Sequence, residues 1–315
     1  MIDIILALTF IASIFMGISI GSSSVPPAFG PVTSSGSIGI LKSALLAGLA
    51  ACLGAILQGG SVTNTVGSGM VSGEIQTIQA FTILLIASIL VIASVLTKYP
   101  MPTAFTVVGA VIGSALSFGN AIQWSSIQLI GVYWLMIPFL ALGIGYALSE
   151  LLRYFLSKDG TKKQIRYLTL AMGIFVAYNA GANSVGLAVG PLQTFNYPMI
   201  LLLVIGGLAI LVGAWLLSPV IIDAVSFEYS SIGPRRSAAA LGTAAILAQV
   251  GIYLGVPISF NQAIIAATIG SGLVVGGATT GKRKVAFTSA AWVSAFLIAI
   301  GGTYALSEAV QMLGI

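Results

Sequence analysis

Ten apolar stretches, each close to twenty residues long, constrain this chain more than any other feature. They fall at about 2–20, 41–59, 78–97, 101–118 and 126–149, and again at about 166–182, 198–217, 236–254, 258–277 and 285–307. Helices of that length match the hydrocarbon thickness of a bilayer. Charge rules out a water-facing surface: only 6% of the 315 residues are charged, against roughly 25% in a soluble domain. The lipid bilayer is therefore the main solvent. The opening Met-Ile-Asp carries no basic residue, so the first run reads as a spanning helix rather than a cleaved leader.

Several classes of chemistry fall away with the composition. Histidine is absent, which removes the commonest metal ligand and the usual catalytic base near neutral pH. Apart from Asp3 at the outer end of the first run, no Asp or Glu falls inside a predicted span, so an intramembrane enzyme is disfavoured and no resident metal or cofactor is expected. The single Cys52 excludes an intrachain disulfide and reads as a small packing residue. The net charge of +5 sits in short clusters flanking the spans, so no nucleic-acid partner is implied.

The chain repeats itself. Between the first and second runs of each set lies a Gly/Ser/Pro-rich stretch, residues 21–37 and 181–195. Gly21-Ser-Ser-Ser-Val-Pro-Pro-Ala-Phe-Gly-Pro31 lines up with Gly181-Ala-Asn-Ser-Val-Gly-Leu-Ala-Val-Gly-Pro191, and Ile112-Gly-Ser-Ala-Leu116 answers Ile269-Gly-Ser-Gly-Leu273. The boundaries follow: a first repeat over 1–152, a linker over 153–166 and a second repeat over 167–315. Five crossings per half is an odd number, so the second half enters the membrane from the opposite side. An N-terminus outside places Lys42, Lys98, the Arg153–Arg166 cluster, Arg235, Arg236, Lys282, Arg283 and Lys284 inside, which accounts for every Lys and Arg. The expected fold is an all-α integral membrane protein of the cell membrane, with two inverted repeats of about five transmembrane helices and re-entrant half-helices at the midplane. Both termini lie outside and the linker is cytoplasmic. The sequence leaves room for a homo-oligomer.

Interrupted segments at matched positions of inverted halves point to a transporter's substrate site. Ser24 precedes Val25-Pro26-Pro27, and serine followed by proline suits the start of a helix. Ser22, Ser23 and Ser24 are thus expected at the opening of a half-helix, with Asn183 and Ser184 in the matching place. Helix N-termini attract anions through unpaired N–H groups and the helix dipole. The alternative is that these stretches are close-packing elements, because small residues favour tight helix contacts in membranes. A second pair, Tyr99-Pro-Met-Pro-Thr-Ala-Phe-Thr106 and Val256-Pro-Ile-Ser-Phe-Asn-Gln262, brings Thr103, Thr106, Ser259, Asn261 and Gln262 to the start of apolar runs. Their hydroxyls and amides serve an anion as donors or a cation as oxygens.

These motifs resemble those of the inorganic phosphate transporter (PiT) family, whose halves each carry a Gly-Ala-Asn-Asp-Val-Ala-Asn-Ala type motif and a later Pro-Val-Ser-Thr-Thr-His type motif. Residues 177–191, AYNAGANSVGLAVGP, look like the second copy of the first motif and residues 21–31 like its first copy. Gly233-Pro-Arg-Arg-Ser-Ala-Ala-Ala240 is similar to the family's segment before the last helices, and Gly255–Gly272 to its second later motif. The resemblance covers most of both halves and identifies the chain as a divergent member related to anion and sulfate permeases. It implies an anion site at Ser22, Ser23, Ser24, Asn183, Ser184, Thr103, Ser259 and Asn261. It also implies a coupling-ion site, with sodium as the ion, among Asn179, Asn183, Thr106 and Gln262. The departures alter the chemistry: Ser24 and Ser184 stand where the family motif has aspartate, and Pro102-Thr103-Ala104-Phe105 and Ser259-Phe260-Asn261-Gln262 stand for Ser-Thr-Thr-His.

Near neutral pH phosphate keeps a proton to give to a carboxylate, whereas sulfate has none and is repelled by one. Serines, amides and helix N-termini therefore suit sulfate at least as well as phosphate. The function expected is secondary active transport of a small tetrahedral inorganic anion by alternating access, phosphate on family grounds, with a sulfate permease as the alternative. An anion channel or a non-transporting membrane sensor is the rival of another class.

Overall fold

A computed structural model describes residues 2–34, 38–96, 102–156, 162–219, 222, 233–274 and 282–313. Lys98, Tyr99, Lys158, Asp159, Gly160, Asp223 and Glu228 lie outside them.

The described chain is helical, and its helices fall on the apolar runs. α1 spans Ile2–Ser23. It stops there because Pro26 and Pro27 have no N–H with which to continue the ladder. A 3₁₀ turn, Pro26–Ala28, leads into the short α2, Gly30–Ser34. α3 covers Ile40–Gln58 and runs on through α4, Gly60–Asn64, and a π turn, Thr65–Gly69. α5 (Thr77–Leu96), α6 (Thr103–Phe118) and α7 (Trp124–Phe155) complete the first half. The second half comprises α8 (Lys162–Val189), a 3₁₀ turn (Gly190–Phe195), α9 (Met199–Leu217), α10 (Pro234–Tyr253), α11 (Phe260–Leu273) and α12 (Lys282–Met312).

Seven helical segments among the described residues are long and apolar enough to cross a membrane, including Ile4–Ala28, Ile40–Gln58, Trp124–Phe155 and Lys162–Phe195. The outer face of α7 carries Leu135, Phe139, Leu142 and Tyr146, all exposed, an apolar stripe at helical spacing that only lipid covers favourably. The chain is a multi-pass membrane protein. α6 and α11 are different: with 16 and 14 residues they span only about 24 and 21 Å. Every residue from Thr103 to Ala115 is buried, and so are nearly all of α11's. They are inner helices walled by the longer ones.

One expectation fails in the second half. The stretch 181–195 does not break as a unit, because α8 runs unbroken to Val189 and only Gly190 and Pro191 end it. Its glycines serve packing instead: a methyl added at Gly181 would overlap the carbonyl oxygen of Ala51 on α3. Gly21, its counterpart in the sequence repeat, meets the carbonyl of Ile210 on α9 in the same way. Gly113 and Gly270 form another such pair, against the carbonyls of Ile300 and Leu142. The packing is reciprocal throughout. α1 lies on α9 and α3 on α8; α1 lies on α5 and α8 on α10; α6 lies on α12 and α11 on α7. Exchanging the halves regenerates each pairing.

Candidate functional site

The break after α1 places its serines differently from the sequence expectation. The Ser24 N–H donates to the Ile20 carbonyl at 2.8 Å, and the Ser22 and Ser23 hydroxyls donate back to the Ser19 carbonyl at 2.8 and 2.9 Å. Hydroxyls in apolar surroundings take such carbonyls when no other partner is near. All three residues therefore end α1 rather than open a half-helix, and Val25, not Ser24, precedes the 3₁₀ turn. The carbonyls of Ser22 and Ser23 lack the usual donor four residues on, because Pro26 and Pro27 stand there. This end of the motif offers oxygens.

The helix N-termini come from the later motifs. α6 begins at Thr103 after Pro102, whose backbone is extended and which supplies no side-chain cap. α11 begins at Phe260 after Ser259, whose Oγ accepts from the Gln262 N–H at 3.3 Å and so caps the helix. Residues 255–259 ahead of α11 are buried and non-helical, so α11 starts inside the protein.

Each early motif is tied to the later motif of its own half. The Ser24 and Thr103 hydroxyls share a hydrogen bond of 2.9 Å. Asn183 grips Ile258 twice, its Nδ2 donating to the Ile258 carbonyl at 3.1 Å and its Oδ1 accepting the Ile258 N–H at 2.8 Å. One turn earlier on α8, Asn179 Nδ2 donates to the Ala245 carbonyl at 3.0 Å. The Thr106 hydroxyl turns back to the Thr103 carbonyl at 2.8 Å. Across the halves, the turn at Pro26–Ala28 packs on α8 and α11, and α6 packs on α8. The two pairs of motifs thereby form one cluster at the centre of the protein.

All eleven candidate residues are buried, none more than 7% exposed, so the cluster is occluded. Three buried oxygens in it have no hydrogen-bond partner: Asn179 Oδ1, Ser184 Oγ and Gln262 Oε1. An orphaned buried polar atom costs stability and is rare without a reason. Gln262 lies in the first turn of α11, and Asn179 and Ser184 flank Asn183 along α8. No described Asp, Glu, Lys or Arg is buried, so neutral dipoles make up the cluster.

Trp134 of α7 is a residue that motif reading overlooked. Its Nε1 donates to the Pro257 carbonyl at 2.8 Å, and its ring stacks on Phe105, with centroids 3.8 Å apart and planes at 12°. It thus links the segment before α11 to the first turn of α6, and Phe296 of α12 meets both rings edge-on. Trp134 lies in an apolar span with no motif around it. A lone indole N–H in such a span, which must find an acceptor when buried, was the available signal.

Short buried helices starting at interrupted backbone, enclosed by longer membrane-crossing ones, define a membrane-transporter architecture. The chain belongs to the phosphate transporter family, whose model matches residues 20–170 and 156–302. The fold is shared with a solved sodium-dependent phosphate transporter: the TM-score is 0.83 at 18% identity, covering 98% of this chain and 99% of that one. A sulfate permease, CysP, of Bacillus subtilis is 27% identical over 301 residues, 93% of this chain and 85% of that protein. A chloroplastic inorganic phosphate transporter of Arabidopsis thaliana is 26% identical over 197 residues, 59% of this chain and 32% of that one.

Proposed function

We propose that this protein is a secondary active transporter that carries a small tetrahedral inorganic anion, inorganic phosphate on family grounds, by alternating access. One observation carries the reading: α6 and α11 begin inside the protein, each start tied by hydrogen bonds to the early Gly/Ser-rich motif of its own half. The first N–H groups of both helices have no intrahelical acceptor, and both positive dipole ends lie among hydroxyls and amides. An anion there is stabilised without a formal cation, and only weakly enough to leave.

Two inverted repeats joined at the linker fit this mechanism, and helix directions support them. Thr169 and Asn179 of α8 bond to Pro234 and Ala245 on α10, so those two helices run in parallel. The contacts of Gly54 and Gly186 with Tyr178 and Thr63 set α3 parallel to α8, and those of Gly17 and Gly21 with Gly206 and Ile210 set α1 parallel to α9. If α1 and α3 are successive crossings, α1 and its counterpart α8 cross in opposite directions. The basic residues in and around the linker favour the cytoplasm for it by the positive-inside rule, with both termini outside. Rocking one set of helices against the other opens the cluster to each side in turn.

Sulfate is the second reading. Ser24 and Ser184 place hydroxyls where a phosphate site gains from a carboxylate, and the likeness to the Bacillus permease favours the same substrate. For coupling, we infer a sodium ion held by Asn179 Oδ1, Gln262 Oε1 and the carbonyls of Ser22 and Ser23. Neutral oxygens of that kind suit sodium, whereas a proton-driven carrier generally keeps a titrating group within the membrane. Competition binding of phosphate and sulfate to the purified protein across pH tests the substrate. Phosphate transport requires saturable phosphate binding that sulfate displaces poorly, and the reverse order establishes the sulfate permease. Binding of neither overturns both. Exchange acceleration in proteoliposomes separates a carrier from a channel.

A further inference from the structure

A second site lies at the linker end of the helices, well away from the buried cluster. The ends of α7 and α11 and the starts of α8 and α10 enclose a cavity of about 540 Å³. Arg153, Lys162, Arg166, Arg235 and Arg236 line it. Among the described residues Glu150 lies 3.5 Å from Arg153 Nε. Arg235 Nε is buried without a hydrogen-bond partner, a donor left unsatisfied beside a cavity. Ile165, Pro234 and Val274 give the same cavity an apolar wall.

Depth and size narrow the ligand. Tyr154 and Phe155 at the end of α7 and Tyr167 at the start of α8 are exposed, and Lys163 Nζ stands 5.9 Å above the Tyr167 ring. Aromatics with lysine beside them mark the membrane–water boundary. Arg166 and Asn183 are seventeen residues apart on α8, which is about 25 Å, so the cavity does not belong to the central cluster. At about 30 Å³ per water, it is far larger than a five-atom oxyanion needs. A phosphate group with a polar head and the start of an acyl chain fits the charge, the apolar wall and the depth together.

We propose that this cavity binds the phosphate-bearing headgroup of an anionic phospholipid from the leaflet on the linker side. Basic pockets between transmembrane helices take such headgroups. Arg153 comes from the first half and the other four cations from the second, so a seated lipid joins the two halves at that face. The assignment does not depend on which anion the central cluster carries.

The test uses the full chain in detergent, titrated with short-chain phosphatidylglycerol or phosphatidylcholine and read by bound-lipid mass and melting temperature. Phosphatidylglycerol binds and raises the melting temperature; phosphatidylcholine does neither. The double variant Arg235→Gln/Arg236→Gln weakens phosphatidylglycerol by about 25-fold, at about fivefold for each charge removed. Arg153→Gln gives about fivefold and serves alone if the double variant does not fold. Retained phosphate or sulfate binding at the central cluster confirms that a variant is folded. Equal phosphatidylglycerol affinity in the wild type and a folded variant overturns the proposal. So does a cavity filled by inorganic phosphate or sulfate and indifferent to phosphatidylglycerol.

Discussion

Asn183 holds the N–H and the carbonyl of one residue, Ile258, and both are buried. Asn183→Ala leaves both groups unpaired, which costs about 2–4 kcal/mol of stability and releases the segment that positions the start of α11. Melting temperature should fall and anion affinity should drop at least tenfold, both readable on purified protein. Ser24→Asp and Ser184→Asp test the charge logic. A carboxylate beside a dianion in a low-dielectric site is strongly repulsive, so sulfate binding is lost in both variants, while phosphate binding survives in one if protonated phosphate is the substrate. Unchanged sulfate affinity in both would place the anion elsewhere. Motif position alone singles out Ser24, Thr103 and Asn183, which make the hydrogen bonds between early and later motifs, and Ser259, which caps its own helix. The direction of the first motif was not legible in the sequence. Ser-Val-Pro-Pro reads equally as the start of one helix or the end of another, and the serine hydroxyls chose the Ser19 carbonyl behind them.

Among the elements, the contact of α3 with α8 depends on residues without side chains. Gly181→Ala drives a methyl into the Ala51 carbonyl, and backbone cannot yield as a flexible side chain can. The helices must separate, at a cost of about 1–3 kcal/mol or more. Gly131 on α7 has nothing within 4 Å of an added methyl, so Gly131→Ala should be neutral or stabilising by up to about 1 kcal/mol. Thermal melting of the two variants in detergent distinguishes a packing glycine from an idle one. The positions of the long helices were readable from apolar length alone. The continuity of α8 was not, because glycines that thin a helix for packing and glycines that interrupt one look alike in sequence. Only the absence of a proline between Tyr178 and Pro191 separated the two cases.

For the whole molecule, topology and coupling yield the measurable outcomes. A cysteine placed beside Lys162 should react only with reagent on the cytoplasmic side, and one beside Glu74 only with reagent outside. Reaction of both from one side would end the inverted arrangement. In liposomes, an inward sodium gradient should drive uptake of the anion. A pH gradient alone should not drive uptake of a fully ionised anion, since no described acid is buried to carry the proton. Uptake driven by pH without sodium would require a titrating group elsewhere.

The exchange of helices between the halves also shapes how the protein is made. α1 needs α9 to cover it and α3 needs α8, so the first half leaves the ribosome with surfaces whose partners are not yet translated. From the end of α3 at Gln58 to the end of α9 at Leu217, synthesis takes about 8–30 s at the usual elongation rates. Throughout that interval the glycine faces of α1 and α3 are open to lipid or to other nascent chains. A truncated product ending before α9 keeps them open indefinitely, which makes the half-made chain, not the finished carrier, the form most exposed to quality control.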